Sequence, residues 1–248
     1  MFAALTPMIL LGATAERGRF APALVFTFVS QELPGSLGDL ARYRQLNLRP
    51  FPSFLQIWAT IVYDPIACWT WNANGWSYIM GTLDFAGGGP VHISSGVGAL
   101  AYSIWLGRRK GYGTAALAYK PQNTTHVVLG TVLLWFGWFG FNGGSALASS
   151  MRAAQAMIVT NLAAAVGGLT WMLMDWRLEK KWSAVGLCSG IISGLVAITP
   201  AAGYVGAPAA VAFGVVGGVA CNYATKLKVS TYSFREMHTG QLLTSLSI

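Results

Sequence analysis

Charge is what this sequence is short of. Only 10% of its 248 residues are Asp, Glu, Lys or Arg, against about a quarter in soluble domains. With 54% hydrophobic residues alongside so little charge, the leading class is a membrane protein. Cysteine is scarce as well: Cys68, Cys188 and Cys221 lie apart in apolar stretches with no CxxC spacing, which excludes a disulfide framework and a cysteine zinc site. They are expected to be small core residues, and no metal or cofactor is expected. The net charge is +8, but the basic residues fall in short clusters between apolar runs; without a continuous basic face, nucleic acid is excluded as a partner. No charged segment precedes the first apolar run and no small-residue cleavage pattern follows it, so no cleavable signal peptide is expected.

Apolar runs are plentiful. A hydrocarbon core about 30 Å thick takes about 20 apolar residues per helix, and residues 1–14, 88–107, 124–148, 153–174, 183–201 and 205–225 are read as spans. The first is short, as if its start were absent. Residues 20–28 and 57–69 are apolar too, but polar residues 29–56 separate them and neither piece spans alone. Connecting segments alternate: Arg17 and Arg19, then Arg108, Arg109, Lys110 and Lys120, then Arg177, Lys180 and Lys181, then Lys226 and Lys228. The loops between them hold only Arg152, so the positive-inside rule places the basic loops in the cytoplasm. The alternation works only if 20–28 and 57–69 form one span interrupted by 29–56. Val29-Ser30 and Leu55-Gln56 read like the ends of a translated intron, whose removal leaves the continuous helix "FTFIWATIVYDPIACW". A second Val-Ser, Val229-Ser230, opens a tail of different character, 229–248, read as a second read-through.

Thirty glycines in such a chain point to close helix packing. Gly186, Gly190 and Gly194 recur every four residues, as do Gly214 and Gly218. The remaining chemistry centres on His92, a lone imidazole within an apolar span. An ionisable ring in a span either faces a bundle interior or substrate path, or fills a packing role. Out of water its neutral form is favoured, able both to donate and to accept a hydrogen bond. "CWTWNANGW" sets Trp69, Trp71 and Trp76 at the outer face, as anchors or as rings that attract a small cation. Asp84 precedes the helix that bears His92, where a carboxylate caps free amides or orders a loop. "LLWFGWFGFNGGSALAS" places Phe136, Trp138, Phe139 and Phe141 among glycines ahead of Ser145, a set that suits a narrow apolar passage or ordinary core. No nucleophile–base pair or metal-ligand cluster accompanies His92, so an enzyme is not expected.

The segments "DFAGGGPVHISSG", "FGWFGFNGGSA", "CSGIISGLVAITPAAGYVG" and "GVVGGVACNYATKLK" resemble the signature segments of the ammonium transporter family, the methylammonium permease and Rhesus protein superfamily, and its fungal members in particular. The resemblance covers nearly everything except 29–56 and 229–248. It implies an all-α, polytopic transmembrane helix bundle of about seven of the family's eleven spans, with residues 1–228 as a partial membrane domain. It further implies ammonium or ammonia, and possibly methylammonium, as substrate, a lipid bilayer as surroundings, a homotrimer in the intact family and a plasma-membrane location. Residue by residue, Trp71 and Ser145 resemble the outer recruitment site, Phe2 and Phe141 the stacked gate, His92 and Trp138 the pore lining, and Asp84 the vestibule carboxylate.

The pattern also departs from the family. Set against the family pattern, the first two and last two helices are expected to be missing, and with them the second pore histidine; His238, in "FREMHTG", matches its pattern loosely and is read as part of a solvated tail. His126 is read as interfacial. The expectation is therefore an ammonium-transport family member whose 248 residues alone do not conduct. The alternative is a non-transporting membrane ammonium sensor or accessory subunit.

Overall fold

The computed structural model describes residues 2–12, 57–106 and 123–230. The readings of 29–56 as an insertion, of His238 and of nearly all the 229–248 tail lie outside the described residues. Among the described residues all regular structure is helical. Helix α1 is Phe2–Leu11. A π-helical turn, Ala59–Tyr63, leads into α2, Asp64–Trp71. The single turn Trp76–Ile79 is α3. A second π-helical turn, Gly88–Ile93, leads into α4, Ser94–Leu106. Four longer helices follow: α5 (Thr124–Gly144), α6 (Met151–Glu179), α7 (Ala184–Ile198) and α8 (Ala207–Ser230).

Helices α5 and α6, and Ala207–Thr225 within α8, are long and apolar enough to cross a membrane. At 29 residues, α6 is roughly 43 Å long at ~1.5 Å per residue, so its ends reach beyond a ~30 Å hydrocarbon core. Helix α7 is shorter than the 183–201 span read from hydropathy. It stops at Ile198 because Pro200 has no N–H for the next helical bond and its ring crowds the preceding turn. The chain then winds through turns closed by Ala201 N–H to Ile198 O (2.9 Å) and Tyr204 N–H to Ala201 O (2.8 Å). Each long helix start with a described cap uses a polar side chain. Asn123 accepts from Thr125 and His126 N–H, Ser150 from Ala153 N–H and Ser183 from Gly186 N–H. Such caps satisfy amides that have no helical partner, and each is worth about 1 kcal/mol.

Helix α6 is the centre of the bundle, with α7 on one side and α8 on another. The glycine spacing shows why. A side chain at Gly190 or Gly194 would run into the α6 backbone at Gly167 and Ala163, and one at Gly214 or Gly218 would meet the same two carbonyls from α8. One row of small α6 residues thus serves two seams, where backbones approach without side chains between them. Polar pairs fasten the same helices. Asn142 Nδ2 on α5 donates to Thr160 Oγ1 on α6 (2.8 Å), and Asn222 Nδ2 on α8 donates to Asp175 Oδ1 on α6 (2.9 Å).

Candidate functional site

The site begins with the loop that follows Asp84. Its Oδ1 accepts from the N–H groups of Gly87 (2.7 Å) and Gly88 (2.8 Å), and its Oδ2 from Gly89 (2.7 Å). These are amides that open the helical run 88–106 and have no partner within it, so a carboxylate there is stabilised by both hydrogen bonds and the helix dipole. Gly87 lies at φ 106°, a left-handed conformation that glycine adopts without strain; a side chain there would also strike Val91. The indole Nε1 of Trp71 donates to the Asp84 carbonyl (2.9 Å), tying the end of α2 to this loop.

From that loop the chain enters the π-helical turn. The amide of His92 donates to Gly87 O, five residues back (3.1 Å), while Val91 N–H shares the same acceptor (3.0 Å). A wide turn of this kind re-aims side chains relative to an α-helix and recurs at functional sites. Two serines brace it from below: Ser94 Oγ donates to Pro90 O, and Ser95 Oγ to Val91 O. His92 is thereby carried inward and is only 2% exposed.

Around His92 stands a set of aromatic rings. The imidazole stacks on Trp138 with centroids 5.3 Å apart and 18° between planes, and lies 5.7 Å from Phe141. Phe141 in turn is 4.6 Å from Phe2, and Phe2 is 5.7 Å from Trp71. The chain of rings therefore runs Trp71, Phe2, Phe141, then His92 with Trp138. Four helical segments supply it: α2, α1, α5 and the turn before α4. Trp138 and Phe141 share a face of α5 because they are three residues apart. Phe136 does not join them; it is 75% exposed and touches Phe139 edge-on at 6.4 Å. Trp69 and Trp76 pair on the exposed side (6.1 Å), while Trp71 is half-buried.

Neither ring nitrogen of His92 has a hydrogen-bond partner among the described residues. A buried imidazole ordinarily bonds at least one nitrogen, so the ring presents an unused donor and an unused acceptor to whatever small polar molecule reaches it. Ser145 caps the end of α5, and its hydroxyl donates to Phe141 O (2.8 Å); it meets the ring set through Phe141, and among the described residues no hydrogen bond joins it to Trp71. His126 is exposed at the start of α5. No group of three or more His, Cys, Asp or Glu that could hold a metal occurs among the described residues.

Sequence reasoning missed what holds these rings. Trp138 Nε1 donates to Thr199 Oγ1 (2.9 Å), and Thr199 Oγ1 donates to Leu195 O (2.8 Å). The adjoining turn also docks the Asp84 loop: Phe85 N–H donates to Pro200 O (2.9 Å), and Gly88 leaves room for the Pro200 ring. The Phe85 ring meets Tyr204 edge-on (5.7 Å), with the Arg152 guanidinium 5.6 Å from the Tyr204 ring centroid. The turn after α7 thus positions both the Asp84 loop and the Trp138 ring stacked on His92. The only signal in the sequence is the Thr-Pro pair that ends α7.

Among the described residues the fold is an all-helical bundle with membrane-length helices, and it holds a buried imidazole behind a column of aromatic rings. The family model described as Ammonium Transporter Family matches residues 40–235. The chain is 51% identical over 228 residues to Ammonium transporter 1 of Schizosaccharomyces pombe, covering 92% of this chain and 40% of that protein. The crystal structure of Saccharomyces cerevisiae Mep2 superposes with a TM-score of 0.79 at 46% identity, covering 99% of this chain and 50% of that one. A solved structure titled Sensor Amt Protein gives a TM-score of 0.79 at 28% identity, covering 99% of this chain and 56% of that one. The chain belongs to the ammonium transporter family, and it spans about two fifths of the curated fungal relatives it matches.

Proposed function

We propose that these residues form one wall of a path by which ammonium crosses the plasma membrane, with the 248-residue chain non-conducting by itself. The observation that carries this reading is His92: 2% exposed, stacked on Trp138, with both nitrogens unpartnered among the described residues. A bare ammonium ion loses its hydration in an apolar passage, and giving up its proton removes the charge that makes entry costly. A neutral imidazole is suited to hydrogen-bond the resulting ammonia and to pass on the proton. In this reading Trp71 and Ser145 recruit the cation, Phe2 and Phe141 close the passage above His92, Trp138 lines it and Asp84 orders its mouth. A relay also needs a second polar group to take the proton, and among the described residues neither His92 nitrogen has a hydrogen-bond partner. The matched relatives are named as transporters, which supports a non-enzymatic role, and a trimer is proposed from the family resemblance.

The test is growth of an ammonium-uptake-deficient yeast expressing this chain, together with ammonium-driven internal pH change in liposomes that contain it. Neither is expected from the chain alone; rescue that is lost in His92→Ala would overturn the non-conducting reading while supporting the path. Methylammonium, offered in parallel, reports substrate breadth. Transcript sequencing tests the proposed boundaries: a spliced product lacking residues 29–56 is expected, with a different continuation after Lys228. The likeness to Sensor Amt Protein supports a second reading, a non-transporting sensor or accessory subunit. Co-purification with a full-length relative, without transport by the chain itself, separates that reading from the first.

A further inference from the structure

The turn between α6 and α7 carries a surface that the proposed path does not use. Its sequence is "DWRLEKKW", 175–182. Trp176 and Trp182 stack face to face, with centroids 5.8 Å apart and 17° between planes, and Lys180 Nζ lies 5.0 Å from the centroid of the Trp176 ring. Backbone geometry builds this arrangement. Lys180 adopts φ 56°, which reverses the chain, and its N–H donates to Trp176 O (3.0 Å). Trp176 is 44% exposed, Trp182 61% and Leu178 46%, and Arg177, Lys180 and Lys181 are all exposed. Two carboxylates accompany them: Glu179, exposed on the same turn, and Asp175, buried and bonded to Asn222. The exposed turn from 177 to 181 therefore holds three cations and one anion.

These features are at odds with open water and suit one boundary. Two exposed indoles are poorly placed in bulk solvent, whereas tryptophan is favoured at the level of lipid headgroups. The turn stands at the end of a helix long enough to reach that level, on the face that the charge alternation makes cytoplasmic, where anionic lipids concentrate. We infer that this turn is a seat for the headgroup of an anionic phospholipid of the cytoplasmic leaflet. Arg177, Lys180 and Lys181 engage the phosphate. The stacked Trp176–Trp182 pair and Leu178 cover the glycerol and the first acyl carbons. Free inorganic phosphate fits the cations equally but makes no use of the exposed indoles, so the lipid is the occupant the whole surface matches. This inference does not depend on whether the chain transports anything.

Native mass spectrometry of the full chain in detergent, titrated with phosphatidylserine, with phosphatidylcholine of the same acyl chains, or with inorganic phosphate, tests it. Phosphatidylserine is expected to bind about tenfold more tightly than phosphatidylcholine, given the worth of basic residues near an anionic surface. In Lys180→Asn/Lys181→Gln, where asparagine tolerates the left-handed backbone, that preference should vanish. Trp182→Ala should weaken both lipids. Equal binding of the two lipids by the unaltered chain, a preference that survives the double substitution, or inorganic phosphate binding as tightly as phosphatidylserine would each overturn the inference. Arg177→Gln, on the regular part of α6, supplies a second loss-of-charge variant should the double one fold poorly.

Discussion

His92 lies parallel to Trp138, 18° between ring planes and 5.3 Å between centroids, with the Trp138 indole anchored to Thr199 and both imidazole nitrogens unbonded among the described residues. One ring of the pair is hydrogen-bonded in place and the other is not. That contrast makes opposite predictions for the two positions.

Stability and function should part at His92. A buried polar group without partners costs roughly 1–3 kcal/mol, so His92→Leu, similar in volume and apolar, is expected to leave unfolding unchanged or to raise stability by about 1 kcal/mol. Thermal unfolding in detergent measures this. A loss of more than about 2 kcal/mol would mean that the ring has a structural partner.

Thr199 should behave in the opposite way. Thr199→Val keeps the shape but removes the acceptor of the Trp138 N–H, leaving a buried donor unpaired at a cost of about 1–3 kcal/mol. Thr199→Ser retains the hydroxyl and should recover most of that. Unfolding curves of the three forms decide it, and equal stability of Val and Ser would contradict the bond.

The Asp84 loop should be sensitive to a single atom. In Asp84→Asn the amide nitrogen facing Gly89 N–H can no longer accept, and the charge beside the helix start disappears, so a loss of about 1–3 kcal/mol is expected. Trp71 is bonded to the Asp84 carbonyl, so the same substitution should raise hydrogen exchange across 84–89 and at the end of α2. Unaltered exchange there would show that the carboxylate does not order the loop.

Glycines on the seams and on the outer faces should differ. Gly190→Ala places a methyl against the Gly167 backbone and should cost about 1–3 kcal/mol by overpacking. Nothing lies within 4 Å of a side chain at Gly137, where alanine should be neutral or stabilise by up to about 1 kcal/mol. Parallel thermal melts compare them, and a neutral Gly190→Ala would refute the seam.

Much of this arrangement could be read from the chain before its coordinates. The four-residue glycine spacing locates the α7 and α8 seams, since that period defines one helical face. The Asp-to-glycine run ahead of His92 locates the capped helix start. Other features left no local trace. Trp138 and Thr199 are 61 residues apart, and Asp175 and Asn222 are 47 apart; only tertiary packing brings them together. The two π-helical turns escape hydropathy because an extra residue in a turn changes direction without changing composition. Phe136 misled by proximity in sequence: two residues from Trp138, it projects roughly 200° around the helix axis.

The shared α6 ridge has a mechanical consequence. Where backbone meets backbone there are no rotamers to flip and no side-chain play to take up sliding, so α6, α7 and α8 are expected to move as a single plate. If Phe2 and Phe141 part to admit a solute, as proposed above, the movement falls to α1 and α5, which carry them, rather than to that plate.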